Sequence, residues 1–131
     1  MPDGRRAPLK AIMIDDEKPA LLYLEQLLLA DGRVEVTGRY LSAKAGLAHL
    51  EREKADIVFL DIVMPGMSGF EAAGLIRQMD DRICIVFVTA HYYCAIEDSE
   101  HRAFDSLLKP VAPVRLSKLL TRFEQQRDAS D

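Results

Sequence analysis

Tryptophan is absent from this chain, and cysteine occurs twice in 131 residues. Cys84 lies in an apolar run and Cys94 in a segment of different character, with no C-x-x-C and no His/Cys pair at metal-ligand spacing. That is the usage of free thiols in a reducing cytosol, not of a disulfide framework. Long apolar runs are also missing: none approaches the roughly 20 residues a membrane-spanning helix needs. The opening "MPDGRRAP" is polar and turn-forming and lacks the apolar core of a signal peptide. Nor is there an excess of positive charge, since the formal net charge is −4, whereas phosphate-backbone binding draws on clustered Lys and Arg. The composition predicts a cytoplasmic domain that does not enter a membrane and does not itself contact nucleic acid.

What the chain has is alternation. Five short apolar runs, "LKAIMI" from Leu9, "RVEVTGRYL" from Arg33, "DIVFL" from Asp56, "ICIVFVT" from Ile83 and "AFDSLL" from Ala103, are separated by amphipathic stretches. This is the pattern of successive βα units around a parallel sheet. The first, third and fourth runs are almost wholly apolar, as central strands covered on both faces must be, while the second alternates like an edge. Helix signals fill the gaps. Pro19 fits a first turn, with Asp31-Gly32 as the stop, Ser42 and Ser68 are N-caps, and Pro113 opens the last helix. The fourth stretch, "HYYCAIEDSEHR", has a short apolar stripe and mixed charges and is expected to be the least stable helix. The expected organisation is a flexible segment 1–8, one α/β domain over 9–124, and a polar tail or linker start over 125–131. The expected fold is flavodoxin-like and doubly wound: a five-stranded parallel sheet of order 2-1-3-4-5 with five helices.

In such a fold, ligands bind outside the carboxyl ends of the strands. Asp15 and Asp16 follow the first run, Asp61 the third, Thr89 ends the fourth and Lys109 follows the fifth. Singly, each has a plain structural role: turn aspartates, a β-branched strand residue, a solvated loop lysine. Together at one sheet edge, three carboxylates repel unless something positive compensates. Lys109 supplies one charge. An all-oxygen donor set suits Mg²⁺ or Mn²⁺, and a carboxylate beside such a cation can attack phosphorus.

The segments "IDDE", "FLDIVMPGMSG", "FVTA" and "LLKP", in this order, resemble the receiver domain of two-component response regulators over Leu9 to Phe123. The resemblance implies that Asp61 accepts a phosphoryl group from a sensor histidine kinase. It further implies metal coordination directly by Asp16, through water by Asp15, and by Asp61 and the backbone carbonyl of Val63. Thr89 would be the switch hydroxyl and Lys109 the phosphate-binding lysine, with the Lys109-Pro110 bond cis. Receivers commonly carry an aromatic residue three positions before this lysine, where this chain has Ser106. The stretch from Phe87 to Pro110 is similar to receivers joined to LytTR-type DNA-binding domains. That implies an output domain, control of transcription, and a phosphorylation-dependent homodimer through the fourth helix, fifth strand and fifth helix. Two other functions compete. A phosphatase of the haloacid dehalogenase type needs a second acid two residues after the nucleophile, where Val63 stands. The other is a phosphorylation-independent interaction module or stand-alone phosphotransfer regulator, and with all five site residues present nothing in the sequence favours loss of phosphorylation.

Overall fold

Strand formation follows the apolar runs. The computed structural model describes residues 8–90 and 103–130, in which β1 (Leu9–Ile14), β2 (Val34–Tyr40), β3 (Ile57–Leu60), β4 (Cys84–Thr89) and β5 (Asp105–Leu108) pair in parallel, in the order β2-β1-β3-β4-β5. Every residue of β3 and β4 is buried, as is all of β1 except Lys10. β2 and β5 form the edges, the β2 edge agreeing with its alternating sequence.

Helices α1 (Lys18–Asp31), α2 (Ala43–Arg52), α3 (Gly69–Met79) and α4 (Pro113–Ser130) cover the two faces. The packing makes two cores. Leu21, Leu24 and Leu28 of α1 and Leu116, Leu119 and Leu120 of α4 pack on one face of the sheet, whereas Ala43 of α2 and Ala72, Ala73 and Ile76 of α3 pack on the other. Local signals set the helix ends. Pro19 lies in the first turn of α1, and Gly32, at φ 87°, closes it by donating its N–H to the Leu28 carbonyl. Ser42 accepts from the Ala45 N–H, and Ser68 forms a reciprocal capping box with Glu71.

The last helix runs past residue 124 to Ser130, so most of the stretch expected to be a tail or linker extends α4. Glu124, Gln125, Gln126 and Arg127 are good helix formers with no Gly or Pro among them, and Arg127 reaches Asp56 at 3.6 Å. The fourth expected helix, with Tyr92, Tyr93 and Cys94, lies outside the described residues, as does the N-terminal segment through residue 7. Cys84 is a buried free thiol, pushed up to about 12 chiefly by burial, which leaves it unreactive at neutral pH.

Candidate functional site

Parallel pairing carries the acidic residues to one edge. Asp15 follows β1, and its N–H donates to the Tyr40 carbonyl at 3.0 Å; Asp61 follows β3, and its N–H donates to the Ile14 carbonyl at 2.9 Å. Both carboxylates are buried, while Asp16 is exposed. Ligand oxygens of Asp15, Asp16 and Asp61 lie within 4.8 Å of one another. Lys109 enters the same space from the end of β5. Its Nζ stands 2.7 Å from Asp15 Oδ2, 3.1 Å from Glu17 Oε1 and 3.6 Å from Asp61 Oδ2.

The backbone around these groups is tightly held. Glu17 N–H donates to Asp15 Oδ1 at 2.9 Å, and Ile62 N–H donates to Asp61 Oδ1 at 2.9 Å. The β3–α3 loop turns at Pro65-Gly66, with Gly66 at φ 82°, and brings Gly69 N–H to the Ile62 carbonyl at 2.8 Å. A Cβ at Gly69 would stand 2.2 Å from the Asp61 carbonyl oxygen, so only glycine lets α3 begin so close to Asp61. Thr89 is fully buried at the end of β4, and its carbonyl accepts from the Lys109 N–H at 2.8 Å. The Lys109-Pro110 bond is cis, as expected. Val63, two residues after Asp61, has a half-exposed side chain.

The electrostatics of the cluster are unbalanced. Burial, and then the Asp15 charge, push the Asp61 carboxyl up to about 7, against the downward pull of Lys109 and the Ile62 N–H. Burial works against the Lys109 ammonium, but the Asp15 hydrogen bond and the Asp61 and Asp15 charges overcome it and hold its pKa above the ordinary value. One ammonium thus faces several carboxylates. A hard divalent cation with oxygen preference fits this donor set, because it adds the charge that the protein leaves out. A concavity of about 710 Å³ at the opposite edge of the sheet, between Lys54, Arg82, Phe104 and Arg127, is also lined by Asp56 and Asp80, but the acid cluster found among the described residues is that of Asp15, Asp16 and Asp61.

The response regulator receiver domain model matches residues 11–121. The chain belongs to the response regulator receiver family. This receiver is 42% identical over 125 residues to an uncharacterized response regulatory protein of Vibrio cholerae serotype O1, covering 94% of this chain and 52% of that one. It is 37% identical over 123 residues to the transcriptional regulatory protein BtsR of Escherichia coli strain K12, covering 94% of this chain and 51% of that protein. The chain therefore spans about half the length of the curated relatives it matches. Among solved structures, the response regulatory domain of protein mrkE from Klebsiella pneumoniae is similar at a TM-score of 0.83 and 31% identity, covering 92% of this chain and 99% of that one. Receivers are phosphorylation-accepting regulators that bind Mg²⁺ at an acidic site.

Asp15, Asp16, Asp61 and Lys109 are brought together as the sequence predicts, and Thr89 lies beside them through the Lys109 backbone. Three contributors were given no role from the sequence, although Glu17 closes "IDDE" and Gly69 closes "FLDIVMPGMSG". Glu17 engages Lys109, and its carboxylate directly after the acid pair was a usable sign; Gly69 and the Tyr40 carbonyl act through backbone geometry that residue type does not disclose.

Proposed function

We propose that Asp61 is the phosphoacceptor of a Mg²⁺-dependent transfer from a sensor histidine kinase. The observation that carries this is the burial of Asp61 against Asp15 with Lys109 Nζ at 3.6 Å, which makes it the carboxylate most in need of a cation. Asp15, Asp16, Asp61 and the Val63 carbonyl would hold the ion, and the same oxygen donors accept Mn²⁺. When bound, it supplies positive charge to the oxygens of the transferred group. The ionised Asp61 carboxylate forms an O–P bond as the phosphorus–nitrogen bond of the kinase's phosphohistidine breaks, and the histidine keeps the electron pair. Lys109 exchanges its contact with Asp15 for a phosphoryl oxygen, and the Thr89 hydroxyl donates to another.

This chain acts as a regulator whose chemistry is limited to its own phosphorylation and dephosphorylation. The output would lie in a further domain, for which the unmatched half of the relatives leaves room, and transcription is the output that similarity to a transcriptional regulatory protein supports. The response would be carried by the 90–108 segment and α4, for docking or for a phosphorylation-dependent homodimer. The working domain is 9–124, with α4 continuing from it to Ser130, and it acts in the cytoplasm.

Incubation with acetyl phosphate and Mg²⁺, followed by intact-mass analysis, tests the assignment. One phosphoryl addition, removed by hydroxylamine and absent in Asp61→Asn, is expected. Equal labelling of Asp61→Asn would overturn it.

A further inference from the structure

Strict alternation along β2 would put Val34, Val36, Gly38 and Tyr40 on one face of the sheet. The two valines do pack with the α1/α4 core, but Tyr40 packs with the α2/α3 core. A bulge causes the change of face: Ala11 pairs with Val36 and the next residue, Ile12, pairs with Gly38, so Thr37 is extra. Such bulges commonly re-aim a side chain beside a functional site.

The re-aimed Tyr40 meets His49 of α2. Its hydroxyl lies 2.6 Å from His49 Nδ1, with the rings edge to face at a centroid distance of 5.4 Å. Two glycines make the approach possible. A Cβ on Gly38 would stand 2.7 Å from Tyr40 Cε2 and 2.9 Å from His49 Nδ1, and one on Gly46 would stand 2.2 Å from Ile14 Cδ1. Helix α2 is thereby seated on the residue just before Asp15 and, one turn later, on the Tyr40 ring. His49 is 4% exposed, and its Nε2 has no hydrogen-bond partner among the described residues. Burying an imidazole in place of an apolar side chain is costly unless its polar atoms are paired, and the Tyr40 bond is the pairing that the structure shows for His49. Tyr40 also carries the carbonyl that accepts the Asp15 N–H at 3.0 Å.

We propose that Tyr40 and His49 are positioning residues for the metal-binding acid pair: their side-chain bond, set by the bulge at Thr37, fixes the strand end from which the Asp15 backbone hangs. The proposal rests on the acid cluster being the Mg²⁺ site described above. Second-layer partners of this kind orient the groups that touch the ion.

The test uses Tyr40→Phe and the pair His49→Leu and His49→Gln, of which only Gln can still bond the hydroxyl. Amide hydrogen exchange at Asp15 is measured in chelator, and Mg²⁺ affinity by calorimetry. Tyr40→Phe and His49→Leu should exchange faster at Asp15 and bind Mg²⁺ roughly tenfold more weakly, with labelling by acetyl phosphate recovered at raised Mg²⁺, while His49→Gln stays close to the parent. Parent-like exchange and affinity in folded Tyr40→Phe and His49→Leu would overturn the proposal. If the parent itself binds no Mg²⁺, the functional assignment fails, and the exchange measurement alone decides the positioning: faster Asp15 exchange upholds it and unchanged exchange overturns it. Should Tyr40→Phe not fold, His49→Leu against His49→Gln carries the same decision.

Discussion

Asp61 is both the proposed reactive group and a source of instability. In the folded chain it keeps its proton to about pH 7, whereas an exposed, unfolded carboxyl releases it near 4. Folding therefore takes up a proton between those values. With divalent cations chelated, stability should fall as pH rises through that window and level off above it. Asp61→Asn removes the buried charge, and urea unfolding at about pH 8 in chelator should find it more stable than the parent by about 1–3 kcal/mol. Equal stability there would mean that Lys109 already balances the cluster. Gly69 is the steric counterpart. A methyl group 2.2 Å from the Asp61 carbonyl oxygen meets backbone, which cannot swing aside, so Gly69→Ala should destabilise by about 1–3 kcal/mol and slow Asp61 labelling, read by denaturant midpoint and by intact mass.

Among the elements, α3 is placed by its first turn. The Ser68–Glu71 capping box satisfies two N-terminal backbone donors, one on each side of the glycine that closes over Asp61. Ser68→Ala should cost about 1 kcal/mol, with hydrogen exchange rising first at the start of α3; a uniform rise across the helix would show that packing of Ala72, Ala73 and Ile76 holds this end instead. β5 is tied differently. Asp105 accepts from Arg115 and Arg122 of α4 at 2.7 and 2.9 Å, and the Arg122 guanidinium lies 4.5 Å above the Phe104 ring. Ser106 N–H donates to Asp105 Oδ1 and its carbonyl accepts from Arg115, so Ser106 is anchored through its backbone and its neighbour.

For the whole molecule, the consequence is the route by which phosphorylation is read. A phosphoryl group on Asp61 would add negative charge and several acceptor oxygens and so would draw Lys109 and Thr89 toward Asp61. β5 carries Asp105, Ser106, Leu107 and Leu108 and no aromatic ring, so if Thr89 moves inward no ring of that strand follows it and the response should fall on the segment after β4. Hydrogen exchange with and without beryllofluoride should change chiefly between Ala90 and Leu108 and lose that change in Thr89→Ala. Changes confined to α1 or α2 would place the route elsewhere.

The sequence by itself determined the order of the described elements, the sheet order and the residues at its carboxyl edge. Apolar runs such as "DIVFL" and "ICIVFVT" bury both faces as central strands of a covered parallel sheet, and the caps Ser42 and Ser68 and the helix-opening Pro113 act within a few residues of themselves. Tertiary structure alone decided the rest. The face reversal in β2 depends on the register of Ile12 against Gly38, and a strand's own alternation cannot reveal an extra residue relative to its neighbour. The extension of α4 to Ser130 includes the Arg127–Asp56 approach at 3.6 Å, across 71 positions of sequence (127 − 56). The charge balance at Asp61 was likewise settled by distance and burial, because Coulomb energy and desolvation depend on separation and on excluded water, neither of which residue type carries.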